Sequence, residues 1–289
     1  METTVGVIGG SGLYEIDGLE DVREVRVDTP FGAPSDAIIA GSLGPVKMLF
    51  LPRHGRGHRF SPSEVNYRAN VFALKSLGAE FLISISAVGS MREDIRPGDL
   101  VIVDQFFDRT VGRARTFFEE GIVAHVEMAD PVCPVLAGIL HESSRAAGAR
   151  VHRGGTYLCI EGPQFSTRGE SKIFRSWGVD VIGMTNLPEA RLAREAELCF
   201  ATVALSTDYD CWHATEESVT VQNVLAILEQ NVVMAREVIR RSAAAVPGAR
   251  TCKCPVALDH AILSDRTRIP PRTRERLGCI VDRVLGAKS

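Results

Sequence analysis

Six short apolar runs recur along the chain, and each is hydrophobic on both faces. They are "TVGVIG" (Thr4–Gly9), "VKMLFLP" (Val46–Pro52), "EFLISISAVG" (Glu80–Gly89), "DLVIVDQFF" (Asp99–Phe107), "VDVIGM" (Val179–Met184) and "CFATVALSTD" (Cys199–Asp208). A strand of this length with no polar side has to be covered above and below.

The covering layers are legible between the runs. In "SPSEVNYRANVFALKSLG", Ser61 reads as an N-cap, Pro62 as the first helical residue and Glu64 as the far end of a capping box, with Gly78 ending the helix. A second helix is expected over about Pro131–Ala147 behind Asp130. A third, "NLPEARLAREAE", is expected behind Asn186 as cap, and a fourth runs from Thr220 to about Ala244 with Val221, Val224, Leu225, Leu228 and Val232 on one stripe. Strands alternating with helices predict an α/β fold, a three-layer sandwich with a central mixed, largely parallel β-sheet flanked by helices. No linker or repeat divides the chain, so residues 1–289 read as a single domain. The Arg-rich tail carries Leu277, Ile280, Val281, Val284 and Leu285 at helical spacing, which predicts docking on the core or a neighbouring subunit rather than RNA binding.

Composition narrows the function. The 289 residues are 45% hydrophobic and 24% charged with net charge −3, an ordinary globular balance that gives no footing for bulk nucleic-acid binding. No apolar run is long enough to cross a bilayer, and "METTVGVIGG" lacks a signal peptide's basic and apolar regions, so a cytoplasmic location is expected. Most of the 7 cysteines are expected as free thiols. Cys252 and Cys254 read as two reduced thiols in a loop, a local disulfide being the other possibility. A metal site needs about four ligands, and with only His260 nearby none is expected.

Ligands in open α/β folds collect beyond the carboxyl ends of strands. "GGSG" after the first run offers amides and the Ser11 hydroxyl, without the lysine of a P-loop or the helix of a dinucleotide fingerprint. "PRHGRGHRF" crowds Arg53, His54, Arg56, His58 and Arg59 behind a buried strand, where an unpaired arginine is costly and a phosphate would satisfy a bidentate fork. "SAVGS" adds Ser86 and the Ala87 amide, and Thr185 follows Met184. The convergence points to inorganic phosphate or a phosphoryl group. In "LSTDYDCWH", Asp208 and Asp210 face the same way if the strand continues. One of two close carboxylates then has a raised pKa, and the pair can donate to N7 and accept from the 6-amino group of adenine. A pair of acids on a solvated turn is the alternative.

In order along residues 5–229, "GGSGL", "PRHGRGH", "VNYRAN", "PGDLVIVDQFFDRT", "IEGPQFSTRGES", "MTNLPEA" and "TDYDCW" resemble the 5′-methylthioadenosine phosphorylase branch of the purine nucleoside phosphorylase family. The resemblance implies a homotrimer or dimer of trimers that needs phosphate as co-substrate and no cofactor. The reaction implied is phosphorolysis of 5′-methylthioadenosine to adenine and 5-methylthioribose 1-phosphate. It also implies phosphate on Ser11, Arg53, His54, Ser86, Ala87 and Thr185, with Met184 against the ribose and Phe165 and Ser166 beside the purine. Asp208 and Asp210 would serve as the catalytic pair, and His58, His125, Val221 and Val224 would shape the 5′ pocket. Some heat-stable relatives share a Cys-x-Cys near the C-terminus that can be oxidised. The rivals are a broader purine nucleoside phosphorylase acting on adenosine or inosine, a nucleosidase using water, and a nucleotide-binding protein without turnover.

Overall fold

The computed structural model describes residues 3–10, 12–213 and 221–286, the last segment without the side chains of 221–226, 228 and 229. Among the described residues eleven strands form one sheet. They are β1 (Thr4–Gly9), β2 (Glu20–Val25), β3 (Ile38–Leu43), β4 (Val46–Pro52), β5 (Phe81–Ser90), β6 (Leu100–Val103), β7 (Gln105–Arg109), β8 (Val151–Arg153), β9 (Thr156–Ile160), β10 (Val181–Gly183) and β11 (Cys199–Asp208). The helices are α1 (Tyr67–Ser76), α2 (Pro134–Ala146), α3 (Arg168–Ser176), α4 (Asn186–Glu195), α5 (Val221–Ala245), α6 (Pro271–Leu277) and α7 (Asp282–Leu285).

The main path runs β2-β3-β4-β1-β5-β10-β9-β7, and β11, β6 and β8 branch from β5. β1 is parallel to β4 and β5, and β11 is parallel to β5, whereas β10 runs antiparallel to β5. The sheet is therefore mixed and largely parallel. Alternation along the strands sends side chains into two cores. Ile8, Leu49, Leu51 and Leu82 pack with Val71 and Leu74 of α1 and with Ala190 and Leu192 of α4. Val5, Val7, Met48, Phe50, Phe81 and Ile83 pack with Leu136 and Leu140 of α2 and with Val238 and Ile239 of α5. Burying each such side chain contributes about 1.5–3 kcal/mol, which is why these runs carry no polar face.

Several boundaries differ from the expected ones for identifiable reasons. Asp99–Phe107 is not one strand. It breaks at Asp104, whose carboxylate accepts the Gly155 N–H at 3.0 Å, so that β6 pairs with β11 and β8 while β7 pairs with β9. Ser61 and Glu64 do bond to each other, but they close a turn. α1 starts at Tyr67, where the Asn66 side chain accepts the Ala69 N–H. α2 starts at Pro134 with Cys133, not Asp130, at the N-cap. Thr185 rather than Asn186 caps α4, and Leu187 is extended inside it. α3, with a complete Thr167–Glu170 capping box, was not legible as a helix because its face is mostly exposed. The tail is not a continuous helix. It turns at Gly278, φ 40°, yet Leu277, Ile280 and Val281 are buried in the α1–α4 core, so it docks on its own chain. No helix among the described residues is long and apolar enough to cross a membrane.

Candidate active site

β1 accompanies β5 only as far as Ile8↔Ser84, and β10 joins the same edge only at Ile182↔Gly89. Between them one edge of β5, residues 85–88, has no strand partner among the described residues, and Arg53, His54, Ser86, Ala87 and Thr185 collect at this opening. The Ile85 carbonyl points into it and accepts from Arg53 Nη1 at 3.0 Å. Side-by-side peptide groups alternate along a strand, so the Ala87 N–H is turned the same way. The Val88 carbonyl, turned to the other edge, takes the Thr207 hydroxyl of β11.

Arg53 does not present the open fork expected of it. It is 3% exposed and pairs bidentately with Glu189, Nε to Oε2 at 2.9 Å and Nη2 to Oε1 at 3.0 Å. Nη2 also reaches Ser84 Oγ at 2.8 Å and the Ile8 carbonyl at 3.3 Å. Burial lowers the Arg53 pKa, but the Glu189 carboxylate outweighs it and holds the guanidinium above its ordinary value. Of its five hydrogens, only the second on Nη1 is uncommitted to these acceptors. The premise that phosphate must satisfy an unpaired arginine is therefore corrected, because Glu189 from α4 already does so. Ser84 completes the knot, donating to Glu189 Oε1 at 2.6 Å and accepting from Asn186 Nδ2 at 2.9 Å.

Three hydroxyls meet beside this knot. Ser86 Oγ lies 3.0 Å from Tyr157 Oη and 3.3 Å from Thr185 Oγ1, and all three residues are buried. Ser86 is inside β5 rather than at its end. Thr185 reaches it because β10 runs antiparallel and its exit lies beside Ser86. His54 stacks on His58 with centroids 4.3 Å apart, and its Nδ1–H donates to the Phe60 carbonyl at 2.8 Å. Burial, assisted by the Arg53 charge, pushes the His54 pKa down to about 4. The ring is therefore neutral near pH 7, and with the proton fixed on Nδ1 its Nε2 is a hydrogen-bond acceptor.

At the other end of the opening stand the two aspartates, though not by strand alternation. β11 stops at Asp208, a register shift interrupts its pairing with β5 at this end, and Asp210 has φ 51°. The turn folds back on itself, and the Asp210 N–H donates to Asp208 Oδ1 at 2.7 Å. Thr207 Oγ1, with one hydrogen, sits 2.6 Å from Asp208 Oδ2 and 3.2 Å from the Val88 carbonyl. Both carboxyls lie above the ordinary range. For Asp208 burial is the main cause, the two hydrogen bonds oppose it, and the Asp210 charge adds least. For Asp210 burial again leads. The raised pKa is thus a desolvation effect more than the like-charge effect expected. Gly89 makes the room, since a Cβ there would lie 2.9 Å from Asp208 Oδ1.

The remaining predicted residues divide. Ser166 lies next to the acidic turn, its carbonyl 3.3 Å from Cys211 Sγ, and Phe165 on the same loop is 50% exposed. Met184 packs on Gly162 of that loop, and Arg113 donates to the Met184 carbonyl at 2.7 Å. His125 is not brought in. Its N–H pairs with the Ala261 carbonyl at 2.8 Å, and no contact among the described residues links it to the opening. Ser11 and the side chains of Val221 and Val224 lie outside the described residues. Glu189, Ser84, Tyr157 and Thr207 were missed. Ser84 had a signal, a second hydroxyl two residues from Ser86 in an otherwise apolar run, but the others had none. A cavity of about 660 Å³ bordered in part by Arg92, Lys172, Arg175 and Trp212 opens nearby, and none of the predicted ligand residues lines it.

The sequence offered only His260 beside Cys252 and Cys254, whereas the fold brings other cysteines to them. Cys133 and Cys199 join Cys252 and Cys254, with all four sulfurs within 4.8 Å of one another, while His260 takes no part. Cys133 and Cys199 are remote in sequence from Cys252 and Cys254, so spacing could not reveal the group.

An open strand edge lined by hydroxyls, a locked arginine and a buried acidic turn meet at one end of the sheet in an α/β sandwich. The chain belongs to the phosphorylase superfamily, whose family model matches residues 4–244. It is 58% identical over 282 residues to the S-methyl-5'-thioadenosine phosphorylase of Geobacter sulfurreducens, covering 97% of this chain and 99% of that protein. Among solved structures, a methylthioadenosine phosphorylase from an Antarctic soil metagenomic library superposes with TM-score 0.92 at 45% identity, covering 97% and 99% of the two chains. A variant adenosine/methylthioadenosine phosphorylase from Schistosoma mansoni in complex with adenine superposes with TM-score 0.82 at 41% identity, covering 86% and 93%.

Proposed function

We propose that the chain catalyses phosphorolysis of 5′-methylthioadenosine to adenine and 5-methylthioribose 1-phosphate, in the cytoplasm, with inorganic phosphate as co-substrate and no cofactor in the reaction. The observation that carries the reading is the edge of β5 left unpaired among the described residues. Phosphate donors at Ser86 and Ala87 and a carboxyl pair against Gly89 are two to three residues apart, roughly 7–10 Å along the strand, about the span of a nucleoside's sugar and base.

Cleavage of the glycosidic bond builds positive charge on the sugar and negative charge on the purine. Asp208, kept above the ordinary carboxylate range by burial, is the group to donate to N7 as that charge develops. When Asp208 is protonated, Thr207 can turn its hydrogen to the Val88 carbonyl and accept from the acid, so the pair serves both protonation states. Asp210 accepts from the 6-amino group. Phosphate sits across the sugar, held by the Ser86 and Thr185 hydroxyls, the Ala87 amide and the remaining Nη1 hydrogen of Arg53, with the Ser11 hydroxyl as the further donor that the family resemblance implies. The Arg53 charge is already balanced by Glu189, so fixed neutral donors do most of the work. His54 Nε2 accepts from a phosphate or sugar hydroxyl, and Met184, Phe165, Ser166 and His58 border the nucleoside. Phe107 and Trp177, whose tilted rings lie 5.4 Å apart and are both about half exposed, support assembly into a homotrimer or dimer of trimers. A part for His125 at the site calls for a second copy.

The test is adenine release from methylthioadenosine, adenosine and inosine, with and without phosphate. Strict phosphate dependence and preference for methylthioadenosine are expected. Equal rates after phosphate withdrawal would sink the reading in favour of a hydrolase. Asp208→Asn is expected to lose about 10²–10⁴-fold in kcat on methylthioadenosine. A second reading, in which adenosine is turned over equally well, draws on the printed name of the Schistosoma relative; the same assay separates the two.

A further inference from the structure

Four cysteines from three parts of the chain meet at the end of the sheet away from the opening. Cys133 caps α2, Cys199 begins β11, and Cys252 and Cys254 flank Lys253 at the start of a 3₁₀ turn. Cys133, Cys199 and Cys254 are buried and Cys252 is half-buried. Asp208 lies at the far end of the same ten-residue strand, roughly 30 Å away. The cluster therefore plays no direct part in the proposed chemistry.

The geometry is that of a closed tetrahedral centre. A zinc ion with Zn–S bonds of about 2.3 Å needs sulfur–sulfur edges of about 3.8 Å. Here Cys199 and Cys252 are 3.3 Å apart and every pair lies within 4.8 Å, so small side-chain movements suffice. Four protein sulfurs leave no open position, which is the mark of a structural rather than a catalytic site.

A second observation concerns charge. Each thiol gives up its proton to solvent as its sulfur binds the metal, so four thiolates around a dication carry two net negative charges. Arg194 is placed to meet them. Its Nη1 lies 3.7 Å from Cys254 Sγ, and its buried Nε–H has no acceptor among the described residues. Cys133 adds the positive end of α2, where a thiolate is favoured.

We propose that Cys133, Cys199, Cys252 and Cys254 bind one structural zinc ion, with Arg194 as the counter-charge, tying the 251–256 segment to α2 and β11. Two disulfides are the alternative chemistry for the same sulfurs.

The full chain, purified under reductant and without chelator, is expected to carry one zinc per chain by elemental analysis. Mercurial titration of its thiols should release that zinc. Cobalt(II) added to the stripped protein should give the intense visible bands and sulfur-to-metal charge transfer of a tetrathiolate site. Cys254→Ser should abolish both. If that variant does not fold, Cys252→Ser, at the half-exposed position, should lower metal content and weaken the charge-transfer band. Arg194→Gln should weaken metal binding by roughly 10–100-fold. Absence of zinc and of cobalt bands overturns the proposal, whether intact-mass spectra show all four thiols alkylated or show hydrogens lost in pairs as disulfides. Zinc retained undiminished in Cys252→Ser and Cys254→Ser overturns it too.

Discussion

Replacing Glu189 by glutamine tests whether Arg53 belongs to the fold or to the ligand. Both side chains are almost fully enclosed, at 3% and 1% exposure, and two hydrogen bonds of 2.9 and 3.0 Å join them. The glutamine keeps the shape but removes the charge, and its NH₂ faces guanidinium donors with nothing to accept. Breaking one side of a buried pair costs about 3–5 kcal/mol. At about 2–4 °C per kcal/mol for larger domains, thermal denaturation should show Tm lower by on the order of 10 °C. Saturating phosphate should recover part of the loss in the variant, because the guanidinium charge that Glu189 no longer balances then attracts the bound anion. Ligand at a hundredfold excess over Kd is worth about 2.7 kcal/mol. The double variant Arg53→Met/Glu189→Leu should recover much of the stability without phosphate, as buried pairs replaced by apolar groups often do. A Tm for Glu189→Gln within about 2 °C of the parent, less than about 1 kcal/mol, would refute the argument that Glu189 commits this arginine.

Other consequences follow from the same geometry. Thr207→Val removes the donor at Asp208 Oδ2, so the acid should titrate higher and the alkaline limb of the kcat–pH profile should move to higher pH; an unmoved limb would rule Asp208 out as the proton donor. Glu195 is raised by burial to about 7 from an ordinary 4.5. The stability this group allows is full below pH 4.5 and is lost as pH rises through 7, up to about 3 kcal/mol. Glu195→Gln should therefore raise Tm at pH 8 and do little at pH 4.5, as calorimetry can check. His54 has the opposite sign. Its pKa falls from 6.5 to about 4, so its contribution is full above pH 6.5 and is lost on acidification through 4, and His54→Gln should flatten the acid side of the stability curve. Leu277→Ala, at a fully buried tail position, should cost about 2–5 kcal/mol in denaturant titration; a negligible cost would mean the tail is not part of the core.

The amino-acid pattern alone determined that this chain is an α/β sandwich. β1, β4 and β11 were legible to the residue because their runs are apolar on both faces. It also singled out Ser86, Thr185, Asp208 and Asp210 through residue type within or just beyond such runs. Only tertiary structure decided what these groups do to one another. The partner of Arg53 comes from a helix 136 residues later, and no local pattern marks a buried carboxylate as its mate. The aspartates meet through a left-handed turn, which a strand rule cannot foresee. β2 was missed because an exposed edge strand carries no burial signal, and the four cysteines are neighbours only once β11 and α2 are packed. Periodicity reports which face of a segment avoids water. Which polar group answers another is set by distances that exist only after the layers close.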